Sequence, residues 1–268
     1  MGSSTREKRC VSERLNGLFE LAERDGRCLA GDAPWLASAL GVRTKNGGVI
    51  RVRRGLYART SYWTDLSPIE RHLHVARALA REHPDWVFCR MTAAMALGLS
   101  MTYARHDFEG LPIEIAAPSE AHCGERNGIR MLPRLGSDTV WRASGLLVAS
   151  PAQTVFDCVR CLPFDESLAM ADSALHMRLM EVGEFAELVA GSDRARGIRN
   201  ARRVLACMDG RAESGGESMV RARMIELGYK EPELQVEFPN PLEPGHTYRA
   251  DMLIRCGKRL VVVELDGK

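Results

Sequence analysis

The sequence predicts an α+β protein made of several small domains, and three observations lead to that class. The N-terminal part has two helical patterns followed by short basic strands. The middle part alternates helical patterns with isolated apolar runs. The C-terminal part has a helix followed by two apolar, β-rich runs. Because 268 residues, 45% of them hydrophobic, suffice for two or three small cores, we predict domains at 13–65, 67–209 and 211–268.

Composition narrows the cellular setting. No run of 18 apolar residues is present, so we expect no membrane span and no membrane partner. The polar first ten residues are followed by no apolar segment, so we expect no signal peptide. The eight cysteines are scattered, which fits a reducing compartment better than a disulfide framework. We therefore predict a cytoplasmic protein.

The first predicted domain begins with a pair of helices. Apolar residues recur at helical spacing in 13–25, and Pro34 falls in the first turn of a second helix that Asp32 can cap. A turn signal at 46–48 precedes alternating apolar and basic residues at 49–53. A helix pair followed by a basic β-wing is the plan of a winged helix-turn-helix.

Basic residues concentrate around this predicted wing. In a winged helix-turn-helix, the second or third helix enters the major groove and the wing meets phosphates. The basic hairpin therefore predicts contact with double-stranded DNA, and the alternative is a hairpin whose charges are simply solvated. Between residues 42 and 59 there is no acid, and the six basic residues are Arg43, Lys45, Arg51, Arg53, Arg54 and Arg59.

The middle domain shows helix starts and short strands. Ser67-Pro68-Ile69-Glu70 is a capping box, and Ser150-Pro151-Ala152-Gln153 repeats the signature. The runs at 113–116, 129–132 and 146–149 are predicted strands separated by Gly, Pro and Asn. We therefore predict a mixed α/β domain.

Two stretches resemble one family. VRRGLY at 52–57 is similar to the motif that closes the wing in AbiEi antitoxins of type IV abortive-infection toxin–antitoxin systems. SPAQTVFDC at 150–158, with the order of elements around it, resembles the C-terminal domain of those antitoxins. The resemblance implies a DNA-binding transcriptional regulator, acting most simply on its own promoter, with a cognate toxin as its counterpart. It adds Tyr57 to the predicted DNA-binding residues Arg43, Lys45, Arg51, Arg53 and Arg54.

The C-terminal runs predict a hairpin that carries acids. Gly257 can supply the positive φ of a tight two-residue turn with Lys258. That register places Asp251 opposite Glu264, and Asp266 points to the same face two residues further on.

Three carboxylates on one face repel each other, so the predicted hairpin needs a compensating charge. The run Val261-Val262-Val263 suggests partial burial, which would strengthen the repulsion. A hard cation such as Mg²⁺, which binds one or two carboxylates plus waters, would remove it. The alternative is an exposed edge whose acids are solvated.

A helix precedes this hairpin. Ser214 is a good N-cap for a helix that runs to about Leu227, and Glu217 falls at its N3 position. Glu217 therefore has two possible roles, as part of the cap or as a further acid beside the hairpin.

Four segments in order resemble the very-short-patch-repair-like branch of the PD-(D/E)XK nucleases: AESGGESMVRARMIELGY, PELQVEF, YRADMLI and VVVELDGK. The resemblance implies that Glu217, Asp251 and Glu264 hold the metal, chiefly Asp251 and Glu264. Asp266 stands where many relatives carry Lys and joins the predicted catalytic residues. In that family, further strands and helices follow the second of the two strands. We therefore expect residues 211–268 to form a partial, truncated nuclease-like segment. The alternative function is a Mg²⁺-dependent DNA endonuclease.

Overall fold

The chain is a mixed α+β protein with several helices and small sheets. The computed structural model describes residues 2–31, 33–101, 110–117, 123–133, 140–240, 245–257 and 259–265. It divides into two compact units, residues 1–96 with 107–149, and residues 97–106 with 150–268. Along these described stretches, every helix is too short or too polar to cross a membrane.

The N-terminal part of the first unit contains the predicted helix pair and hairpin. Its strands form an antiparallel sheet of order β1-β3-β2. Leu15 and Phe19 of the first helix pack on Leu36 and Leu40 of the second to make a small core. The elements are α1 (Gly2–Arg24), β1 (Leu29–Ala30), α2 (Pro34–Lys45), β2 (Val49–Arg53), β3 (Leu56–Arg59) and α3 (Thr60–Asp65).

The N-cap residue of α2 is not the predicted Asp32. Pro34 opens the helix as predicted, but Ala33 holds the N-cap position and makes no side-chain cap hydrogen bond. Asp32, the predicted cap, lies outside the described residues.

The rest of the first unit combines two helices with short strands. The three predicted strands at 113–116, 129–132 and 146–149 are confirmed. β4 and β6 pair in parallel, and β7 and β8 form an antiparallel hairpin. The capping box at Ser67 is confirmed, because Ser67 and Glu70 exchange both hydrogen bonds. The elements are α4 (Pro68–Glu82), α5 (Arg90–Leu97), β4 (Ile113–Ala116), β5 (Gly124–Arg126), β6 (Ile129–Leu132), β7 (Val140–Ala143) and β8 (Leu146–Ala149).

The second unit is a helical layer followed by a three-stranded antiparallel sheet. The sheet has the order β11-β10-β9, with β10 in the centre. Ala212, Leu234 and Met252 form a small core with Val220 and Val263 packed against it. The elements are α6 (Pro151–Val159), α7 (Phe164–His176), α8 (Val182–Ala190), α9 (Ile198–Cys207), α10 (Gly215–Glu226), β9 (Glu233–Pro239), β10 (Thr247–Cys256) and β11 (Arg259–Val263).

The units divide the chain at different points from the predicted domains. The predicted domain 67–209 contributes to both units, and the predicted boundary near Arg211 falls inside the second. The reason is the packing of α10 against α7, where Arg221 pairs with Asp172. The predicted domain 211–268 and the helices before it are therefore parts of one compact unit.

Candidate functional site

The carboxylate hairpin has the predicted register. Cys256 pairs with Arg259, and the ladder runs to Met252 opposite Val263. Gly257 has φ +62°, as the tight turn requires, while Lys258 lies outside the described residues.

Glu264 comes directly after the last paired residue of β11. Continuing the register places it opposite Asp251, where paired residues have Cβ atoms about 4.5–5.5 Å apart. Asp266 lies outside the described residues, so the predicted third acid of this face has no described position.

Asp251 is half-buried, and one of its carboxylate oxygens is occupied. Its Oδ2 accepts a hydrogen bond from the backbone N–H of Leu265 at 2.9 Å. This bond holds the chain after β11 against the central strand. Among the described residues no donor reaches Oδ1, and Glu264 is exposed with no partner there either. Both acids therefore keep oxygens that are free for a ligand.

Glu217 acts as a capping residue at the start of α10. Its Oε1 accepts from the Ser214 hydroxyl at 2.8 Å, and its Oε2 accepts from the Glu213 N–H at 3.0 Å. The Ser214 hydroxyl in turn accepts from the Glu217 N–H, so the predicted N-cap is confirmed. A metal-binding role for Glu217 would compete with these bonds.

Gln235 is a site residue that the sequence analysis missed. It lies in β9 between the pairs Val236–Ala250 and Leu234–Met252, which places it opposite Asp251. Its Nε2 donates to Glu217 Oε2 at 3.2 Å, so it joins the sheet to α10. The sequence signal that could have identified Gln235 is a single polar residue between two apolar strand residues, Leu234 and Val236.

The backbone and the side chain of Gln235 are both unusual. Its φ is +52°, a conformation that costs a non-glycine residue free energy and is common at functional sites. Its Oε1 is buried and has no hydrogen-bond partner in the described part of the chain. A buried amide oxygen without a donor favours a bound cation or water at this point.

The side chains in register with Asp251 offer only oxygen atoms as ligands. Asp251 Oδ1, Gln235 Oε1 and the Glu264 carboxylate are all oxygen ligands, which Mg²⁺ prefers. Within the described stretches, no group of three or more His, Cys, Asp and Glu side chains is placed to hold a metal. The candidate metal site in the described residues therefore consists of two carboxylates and one amide. This number of protein ligands is enough for Mg²⁺, which usually binds one or two carboxylates and keeps several waters.

The expected burial of the valine run is wrong. Leu260, Val261 and Val262 are 52%, 43% and 49% exposed, and only Val263 packs against the core. The reason is topological, since β11 is an edge strand of its sheet.

Three of the six basic residues near the wing are held by protein atoms. Arg43 donates to Asn16 Oδ1 at 2.6 Å and to Ser12 Oγ at 2.8 Å, which ties α2 to α1. Arg59 forms an ion pair with Glu23. Arg53 donates to the carbonyl of Gly128 at 2.8 Å.

The side chain of Arg53 points inward to the Gly128 carbonyl, and a β-bulge lies next to it in β2. The β2–β3 ladder shifts register between Arg51 and Arg53, and such bulges re-aim side chains. Gly128 leaves room for the guanidinium, because a Cβ there would lie 2.8 Å from Arg53 Nη2.

The remaining basic residues face solvent. Lys45, Arg51 and Arg54 are exposed, and the described residues offer them no hydrogen bond or ion pair. Tyr57 instead packs on the N-terminal core, where a Cβ at Gly31 would lie 2.7 Å from its ring. Three of the six basic residues of the predicted wing region are thus exposed and have no partner among the described residues.

Fold and sites together define a mixed α+β protein with a basic three-stranded sheet in one unit and a carboxylate hairpin in the other. No family model matches the chain. The chain is 33% identical over 220 residues to the uncharacterized protein MT2308 of Mycobacterium tuberculosis strain CDC 1551. It is equally similar to the uncharacterized protein Rv2248 of strain H37Rv, and each match covers 79% of this chain and 72% of the relative. The chain belongs to the family of these mycobacterial proteins.

Proposed function

We propose that this protein is a DNA-binding transcriptional regulator of the antitoxin type. The observation that carries the proposal is the set of exposed cations Lys45, Arg51 and Arg54 on and beside the N-terminal sheet, which no described residue pairs with. The order α1–β1–α2–β2–β3, with β1 beside β3, supports a winged-helix arrangement in which β2 and β3 form the wing.

The antitoxin part of the proposal rests on the resemblance of VRRGLY and SPAQTVFDC to the AbiEi family. On that basis the DNA is duplex DNA at the protein's own promoter, and the counterpart is a cognate toxin in the same cytoplasm. Phosphate contacts from the wing would position the protein without specifying sequence.

The test is a fluorescence anisotropy titration of duplex DNA across salt concentrations. Arg51→Gln/Arg54→Gln should weaken binding and lower the log–log salt slope by about 1.8, because each lost phosphate contact lowers it by about 0.9. Arg126→Gln/Arg142→Gln is the control, since it removes the same charge from exposed positions of the same unit. Equal slopes for wild type and the Arg51/Arg54 variant would contradict the proposal.

A second candidate function is a Mg²⁺-dependent DNA endonuclease. It is favoured by Asp251, which stands between Gln235 and Glu264 with a free oxygen on each of the three side chains. Asp251 and Glu264 would hold the ion and Gln235 would add a neutral oxygen. A bound Mg²⁺ supplies an activated water and stabilises charge on the phosphate.

A further inference from the structure

A basic pocket lies within the first unit, where strand β2 of the N-terminal sheet forms part of its lining. Its volume is about 230 Å³. Strand β2 lines it with Arg51 and Arg53, and α4 lines it with Arg71 and His72. The pocket is thus lined by β2, a strand of the proposed wing, and by α4.

The described lining of this pocket contains cations and no acid. Arg53 has the Gly128 carbonyl as its hydrogen-bond partner, and no described carboxylate pairs with it. Burial lowers the pKa of Arg53, which the Cys28 thiol and Glu125 partly offset. Burial also lowers the pKa of His72 to about 4, and the charge of Arg53 adds to that effect. A partly buried cation with which no described carboxylate pairs favours a negative guest.

Part of the described lining of the pocket is apolar. Trp63, Val75 and Ile113 line it. Arg71 donates to the Trp63 carbonyl at 3.0 Å, and its guanidinium lies 5.8 Å from the centre of the Trp63 ring. The apolar wall is thus held in place by the same arginine that contributes charge.

We propose that this pocket binds a small organic anion with a charged head and an apolar body. The head would be held by Arg51 and Arg53, and the body would pack on Trp63 and Ile113. Concave sites with apolar walls and a few placed polar groups are typical of small-molecule binding. This inference does not depend on the proposed DNA function, although Arg51 would contact the anion in one proposal and a DNA phosphate in the other.

Isothermal titration calorimetry on the full chain tests this inference. The probes are phenyl phosphate and benzoate, which share a body and differ in head, with inorganic phosphate and phenol as the separate parts. We expect at least one of the two aromatic anions to bind more tightly than either part. The better of the two identifies the head that the pocket prefers.

Two variants and one control locate the binding. Arg51→Gln should weaken the preferred anion about tenfold, as expected for a lost charge-assisted hydrogen bond. Ile50→Asp places a carboxylate on a partly exposed lining position and should weaken it by a similar factor. Arg126→Gln removes an exposed charge outside the lining and should leave the affinity unchanged.

Several results would overturn the pocket assignment. These are an aromatic anion that binds no better than inorganic phosphate, an unchanged affinity in Arg51→Gln, or an equal loss in Arg126→Gln. Circular dichroism of each variant separates a local effect from unfolding. Because no DNA is present, failure here leaves the DNA titration untouched.

Discussion

Arg221 and Asp172 form an ion pair of 2.6 Å whose side chains are 0% and 1% exposed. The same guanidinium also pairs with Glu231 at 2.6 Å and donates to the Cys207 carbonyl. Asp172 in turn accepts from the Asp209 N–H at 2.7 Å. The pair thus fixes α10, which carries Glu217 one turn earlier, against α7.

Breaking this pair should be strongly destabilising. Asp172→Asn leaves the buried Arg221 charge without its buried carboxylate partner, since Glu231 is 46% exposed, and removing one member of a buried pair costs about 3–5 kcal/mol. Urea unfolding measures the change in the free energy of unfolding. The control is Asp193→Asn, which breaks the exposed pair with Arg202 and should cost less than about 1 kcal/mol. Similar losses in both variants would show that Arg221 gains little from Asp172.

Acid should destabilise the first unit through His72. Burial lowers the pKa of this histidine from 6.5 to about 4, so the unfolded chain takes up the proton first as the pH falls. Stability is fully present above pH 6.5, falls between pH 6.5 and 4, and levels off below; the total loss is about 3 kcal/mol.

His72→Gln tests this pH dependence. The amide can still meet the Thr92 hydroxyl, which lies 2.9 Å from His72 Nε2, and it does not titrate. As the pH is lowered from 7 to 4, the free energy of unfolding should therefore fall less steeply in His72→Gln than in wild type. Burial also lowers the pKa of His74, so part of the slope remains. The exposed His83→Gln is the control, and identical slopes in wild type and His72→Gln would contradict the assignment.

Divalent metal should stabilise the fold through Asp251. A ligand that binds the native state alone stabilises it by RT ln(1 + [L]/Kd), so Mn²⁺ should raise the melting temperature of wild type. Asp251→Asn should lose that gain, because it removes a carboxylate opposite Glu264. The asparagine oxygen can still accept from the Leu265 N–H, so the metal-free fold should persist.

Glu237→Gln is the control for the metal experiment, since it neutralises an exposed carboxylate of the same sheet. Its gain from Mn²⁺ should equal that of wild type. An equal gain in Asp251→Asn would show that the metal binds elsewhere. Plasmid cleavage that Glu264→Ala abolishes would favour the endonuclease over the regulator.

Features that depend on near neighbours along the chain could be predicted from the sequence alone. Ser67, Ser214 and Gly257 each act within a few residues of themselves, so cap chemistry and turn geometry predicted their helices and the hairpin. Period-two pairing then placed Asp251 opposite Glu264 without any knowledge of the rest of the chain.

Which of the predicted residues remain accessible to a ligand depends on contacts between distant parts of the chain. Arg53 is 75 residues from Gly128 and Arg221 is 49 residues from Asp172 in the sequence, and no local sequence pattern predicts either contact. The same holds for Gln235, whose link to Glu217 follows from the packing of α10 on β9. Such contacts depend on which apolar faces meet, because burial acts through area and shape rather than through spacing along the chain. The exposure of Leu260, Val261 and Val262 has the same origin, since a strand's place at the edge of its sheet is a property of the assembled fold.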